Sequence, residues 1–167
     1  MDCSNVTELQ LGTDHVWHNE DVEALHKFSN VRRLTLYTVG YAYANEPSTR
    51  AGVLFPHLHS LRLYGGPGLQ LVQLLKTPQL KELEFDKVSS FDVLKDVSLV
   101  STVETAHIQI RQGDIDSEVS NSEKVMALLT VAPLLQRLRV PKWLHEELES
   151  SGLCLEERRV QLEVVPE

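Results

Sequence analysis

Apolar residues recur along this chain in the spacing L-x-x-L-x-L, with polar residues between them. The clearest copies are Val31-Arg-Arg-Leu34-Thr-Leu36, Leu58-His-Ser-Leu61-Arg-Leu63, Leu80-Lys-Glu-Leu83-Glu-Phe85 and Leu135-Gln-Arg-Leu138-Arg-Val140. Val6-Thr-Glu-Leu9-Gln-Leu11 opens the chain, and Val103-Glu-Thr-Ala106-His-Ile108 and Val160-Gln-Leu162 are weaker copies. The last two apolar positions of each copy alternate with polar ones, which is the period of a half-buried strand. The pattern predicts seven strands, centred on Leu9, Leu34, Leu61, Leu83, Ala106, Leu138 and Val160.

Between the copies the spacing turns helical. Val22, Leu25 and Phe28 fall at i, i+3 and i+6, and so do Leu69, Val72 and Leu75, which follow the breaker Gly65-Gly66-Pro67-Gly68. Ser89-Ser90 is placed to cap a helix carrying Val93, Leu94 and Val97. Asn121-Ser122 precedes Glu123 and the stripe Val125, Leu128 and Leu129. Trp143, Leu144 and Leu148 mark a last short helix after Pro141. Pro56, Pro78 and Pro133 each stand two residues ahead of a copy, where proline stops a helix and biases its predecessor toward extended backbone. Strand, turn, helix, proline and strand make a βα unit, and successive units of this kind give parallel strands joined by right-handed crossovers. The expected fold is therefore an α/β solenoid of about seven units over residues 1–167, one domain with its parallel strands on the concave side.

This layout resembles the leucine-rich-repeat superfamily over nearly the whole chain. Phe55-Pro56-His-Leu58-His-Ser-Leu61-Arg-Leu63 is similar to the F-P-x-L-x-x-L-x-L unit of fungal F-box proteins. The tail Glu156-Glu-Arg-Arg-Val160-Gln-Leu162-Glu-Val164 is similar to their closing strand. The resemblance implies a protein-binding repeat module, the substrate-recognition part of an F-box ubiquitin-ligase subunit. The chain departs from the common repeat at the ninth position, which holds Asp14, Val39, Gly66, Val88, Arg111, Trp143 and Val165 where Asn or Cys is usual. An F-box does not precede the repeats, so adaptor binding is not supported by this chain alone. The resemblance then implies the repeat half of a longer protein, or a relative without its adaptor-binding part.

Composition narrows the partner. The chain has 16 Lys and Arg against 24 Asp and Glu, a net charge of −8, which argues against general binding of a nucleic-acid backbone while leaving room for a local basic patch. Only Cys3 and Cys154 are present, far apart in sequence, and read as free thiols of a reducing compartment. With neither a membrane-length apolar run nor a signal peptide, the expected location is cytoplasmic or nuclear, away from the membrane.

In such a solenoid the polar strand positions point to solvent on the concave side. Arg33, Tyr37, Arg62 and Tyr64 fall side by side on adjacent strands, followed by Glu82, Glu84 and Asp86 on the next. All four tyrosines, Tyr37, Tyr41, Tyr43 and Tyr64, belong to the second and third copies, and Tyr and Arg are enriched at interface hot spots. The candidate binding residues are Arg33, Tyr37, Arg62, Tyr64, Glu82 and Glu84, facing a protein partner. The plainer reading has Tyr41 and Tyr43 packing a long loop and Arg62 pairing with Glu84. On that reading the chain is a structural or scaffolding repeat domain without a dedicated target.

Catalytic chemistry is not legible. His57-x-His59 lacks a third metal ligand nearby and reads as a turn-side pair. Gly65-Gly66-Pro67-Gly68 lacks the Lys-Ser/Thr of a phosphate loop, and its proline removes a needed N–H. The acidic insert Arg111–Lys124 reads as a solvated loop. The expectation is a binding protein, not an enzyme, without cofactor or metal.

Overall fold

The computed structural model describes residues 3–13, 19–38, 52–65, 72, 75–86, 98–109, 120–152, 155 and 159–165. The chain is α/β. Seven strands form one parallel sheet: β1 (Glu8–Thr13), β2 (Arg33–Thr38), β4 (Ser60–Gly65), β6 (Glu82–Asp86), β7 (Thr105–Gln109), β8 (Arg137–Pro141) and β9 (Gln161–Val165). Each pairs in parallel with the next in sequence order. Two further strands, β3 (Val53–Leu54) and β5 (Leu75–Lys76), pair in parallel as a separate small sheet. The helices bounded by described residues are α1 (Asn19–Leu25), α2 (Asn121–Val131) and α3 (Lys142–Ser150), with a 3₁₀ helix at Ser98–Thr102.

Register follows the repeated motif. Leu9, Leu34, Leu61, Leu83, Ala106 and Leu138 are successive partners across the sheet, as are Leu11, Leu36, Leu63, Phe85 and Ile108. These residues point into one core from β2 through β8, with Leu61, Leu63, Phe85, Ala106, Ile108 and Leu138 completely buried. Every strand carries its apolar set at the same two positions, so the two rows stack without a register choice to make. The other layer of the core comes from Val53, Phe55, Val72, Leu75, Val100, Val125, Leu128, Leu144 and Leu148.

The chain reaches each of the first six main-sheet strands through the same turn. The carbonyls of Cys3, Phe28, Phe55, Thr77, Val100 and Ala132 accept from the amides of Val6, Val31, Leu58, Leu80, Val103 and Leu135, at 3.1–3.3 Å. Pro56, Pro78 and Pro133 occupy the second position of this turn, where a fixed φ is favourable and the missing N–H costs nothing. The prolines therefore shape turns more than they end helices. Before Pro56 and Pro78 the chain runs in β3 and β5, and only before Pro133 does it run in a helix. Beyond each turn, one carbonyl takes two amides of the following repeat. Thr7 O accepts from Arg32 N and Arg33 N, Arg32 O from His59 N and Ser60 N, His59 O from Lys81 N and Glu82 N. The column continues through Lys81 O and Glu104 O to Gln136 O.

Three expectations are corrected. Leu138 pairs with Leu162, not Val160, so the last strand is centred two residues later than the motif count gives. A slip of two preserves the faces of a strand, which is why the alternation alone did not expose it. The lead-in to β9 also differs: Arg159 adopts φ 58°, and Val160 N donates to Leu155 O in place of the four-residue turn. Leu75, expected on a helix, lies in β5. The cap of α2 is Ser120, one residue ahead of Asn121-Ser122: its hydroxyl accepts from Glu123 N while the Glu123 carboxylate accepts from Ser120 N. The expected helix over Val93, Leu94 and Val97, the loop tyrosines Tyr41 and Tyr43, and most of the acidic insert lie outside the described residues. Among the described residues no helix is long and apolar enough to cross a membrane.

Candidate functional site: the polar face of the sheet

The face of the main sheet opposite the core is built from the residues on either side of each buried leucine. One row, just after the central leucine, runs Gln10, Thr35, Arg62, Glu84, His107, Arg139 and Glu163, each in register with the next. A second row, two residues on, runs Gly12, Tyr37, Tyr64, Asp86 and Gln109. The strands fix the backbone of both rows, so the side chains are presented on a rigid frame.

Tyr37 and Tyr64 form a tilted aromatic pair, with ring centroids 5.4 Å apart and planes at 52°. That geometry avoids the repulsive face-to-face sandwich and keeps both rings half-exposed. Beside them Arg62 places one Nη2 3.0 Å from Asp86 Oδ2 and 3.3 Å from Glu84 Oε1. Two carboxylates thus converge on one guanidinium. Burial acts against the Arg62 charge, but the hydrogen bond to Asp86 and the fields of Glu84, Asp86 and Tyr37 outweigh it, so its pKa lies above the ordinary value. Arg62 Nε is buried without a hydrogen-bond partner among the described residues.

His107 sits on the far side of Glu84, its Nδ1 3.9 Å from Glu84 Oε1. Burial pushes the imidazole pKa down, Glu84 opposes that, and Arg139 and Arg62 reinforce it. Its Nε2 is buried and unpartnered among the described residues. With Arg139 on one side and Arg62 beyond Glu84 on the other, a neutral ring avoids adding a third positive charge in a partly desolvated strip. Arg139 closes the row with a 2.8 Å bond from Nε to Glu163 Oε2.

Of the six residues singled out from sequence, the sheet brings Tyr37, Arg62, Tyr64 and Glu84 into one contiguous strip. Arg33 turns away toward β1 and pairs with Glu8 at 3.0 Å. Glu82 is exposed, in register with Ser60 and Thr105, two rows removed from the tyrosines. Asp86, His107, Arg139 and Glu163 belong to the strip as fully as the first four. Their positions are legible once the strands are aligned on the motif, and only the shifted register of β9 hides Glu163. His57 and His59 lie in a turn and just ahead of β4, where His57 O is 2.6 Å from His59 Nδ1. Among the described residues, no group of three or more His, Cys, Asp or Glu side chains is arranged to hold a metal ion.

Compared with protein-family models, with curated proteins and with solved structures, the chain finds no significant match in any of the three.

Proposed function

We infer that this chain is a leucine-rich-repeat solenoid acting as a protein-binding module, with the polar sheet face as its recognition surface. The observation that carries the reading is the unbroken strip across seven parallel strands in sequence order, on which an aromatic pair adjoins alternating charges. Rigid strands lose little conformational freedom when a partner docks, and tyrosine and arginine supply large contact area at few rotatable bonds. By resemblance, the role is substrate recognition for an F-box-type ubiquitin ligase, and the chain binds without catalysing a reaction.

A second reading has its own observation. Arg33, Arg62 and Arg139 each pair with a carboxylate inside the chain, as a face that only supports itself would have them do. On that reading the chain is a structural repeat with no dedicated target.

The two separate on one comparison. The wild-type chain and a Tyr37→Ala, Tyr64→Ala, Arg33→Ala, Arg62→Ala variant are immobilised, exposed to native extract at two ionic strengths, and any captured protein is then purified and tested directly. Circular dichroism confirms that the variant is folded. The recognition reading expects a partner retained by the wild type, weakened by salt and lost from the variant. Identical captured sets would retire the face as a recognition surface.

A further inference from the structure

We propose that the depression at the starts of β1, β2 and β4 is a binding site for the phosphate group of a small ligand. The depression encloses about 350 Å³ and is lined by Ser4, Asn5, Thr7, Asn30, Arg32 and His57. It lies at the rim of the sheet, apart from the polar strip on its face. Its size matches the lower range of small-molecule sites.

The lining chemistry is what singles it out. The chain carries 24 acidic residues and a net charge of −8, yet no carboxylate among the described residues lines this depression. Two of the six lining side chains can carry positive charge, and the other four are hydroxyls and amides. Arg32 differs from three arginines of the sheet face. Arg33, Arg62 and Arg139 are each committed to an ion pair, whereas Arg32, like Arg137 on β8, has none among the described residues. Glu8, which follows the lining residue Thr7, is held by Arg33 at 3.0 Å. A guanidinium beside hydrogen-bond donors is suited to two parallel N–H bonds to an oxyanion.

The site is also held in place by the repeat itself. Arg32 N and Arg33 N both donate to Thr7 O, at 2.8 and 3.1 Å, which locks the second lead-in segment against the first. His59 N donates to Arg32 O at 2.9 Å and fixes the third. Asn30 Nδ2 donates to Ser4 O at 2.6 Å and ties the lower wall together. The backbone carrying Arg32 is therefore ordered before a ligand arrives, which reduces the entropy lost on binding. The next positions in the same column are His59 and Lys81, the latter paired with Glu104.

The test uses the whole chain, ¹⁵N-labelled, titrated with inorganic phosphate and separately with free phosphoserine at constant ionic strength, with chloride as the control anion. Saturable shifts are expected at the amides of Asn5, Thr7, Asn30 and Arg32 for both phosphate compounds, and linear, weak shifts for chloride. Arg32→Gln is expected to weaken binding at least tenfold, about 1.4 kcal/mol, while Arg32→Lys keeps part of the affinity and His57→Gln weakens it several-fold. Arg32 and His57 are exposed, so the substituted chains are expected to keep the wild-type spectrum elsewhere. Phosphate shifts that follow chloride, or an affinity unchanged in Arg32→Gln, would overturn the proposal.

Discussion

Leu61 and Leu83 lie in the middle of the sheet with a strand on each side and almost no exposure, so truncating either to Ala is expected to cost about 2–5 kcal/mol. Arg33→Ala, on the exposed side of β2, is expected to stay within about 0.5 kcal/mol, since its pair with Glu8 is open to solvent. Arg62 differs. Removing it leaves Asp86, whose side chain is only 16% exposed, without its ion-pair partner, and a loss of about 1–2 kcal/mol is expected. Urea midpoints of the four variants check this order, and Arg33→Ala falling below Leu61→Ala would mean the strand faces are inverted. His107 adds a pH dependence. Its folded pKa lies below the ordinary 6.5, so the unfolded chain binds the proton more readily. The stability it confers is present above about 6.5 and is lost as pH falls through the folded value. Comparing urea midpoints of wild type and His107→Gln at pH 8 and pH 5.5 isolates this term, and the wild type is expected to lose more on acidification.

At the scale of elements, the repeated lead-in turn and the capped helix α2 carry the local stability. Ser120 and Glu123 satisfy each other's backbone amides, so Ser120→Ala is expected to cost about 1 kcal/mol. Thermal melts of the single variant measure it, and a Ser120→Asp change that keeps an acceptor is expected to restore most of the loss. Where α2 meets α3, Asn121 Nδ2 donates to Glu147 Oε2 at 2.9 Å, and Lys124 is buried near the same carboxylate. Burial lowers the Lys124 pKa and Glu147 opposes the shift. The helical stripe of α2 was legible in Val125, Leu128 and Leu129, but the buried lysine beside them was not. Hydrophobic spacing says which face is inward and nothing about a charged neighbour that only a second helix can answer. The same limit explains β5. Leu75 continues the helical spacing of Leu69 and Val72, yet pairing with Val53 across to β3 holds it extended. A partner strand from another repeat outweighs a local period.

Across the whole molecule, the strands are not equally supported. Leu34, Leu61, Leu83 and Leu138 are buried between neighbours, whereas Leu9 and Leu11 of β1 are only partly covered and Val164 of β9 is 47% exposed. Each unit rests mainly on the units beside it, so the outermost strands have one support where the inner ones have two. Amide hydrogen exchange is expected to be slowest in β4, β6 and β7 and fastest in β1 and β9, with a gradient between. Uniform protection from β1 to β9 would contradict a sheet stabilised by neighbouring units.

The sequence by itself determined the number of main-sheet strands, their parallel sense and their order, because a motif with two fixed apolar positions admits few alignments once it recurs. It also placed Tyr37, Tyr64, Arg62 and Glu84 on one face, since alternation along a strand is a local property. Tertiary structure decided the rest. Whether Arg33 faces the strip or Glu8, whether Arg62 answers one carboxylate or two, and whether His107 is charged depend on which side chains meet across strands. The two-residue shift of β9 and the small β3–β5 sheet were likewise decided by pairing between distant segments. Arg32 and His57 stand out only when three lead-in turns are stacked, because the depression they line belongs to no single repeat.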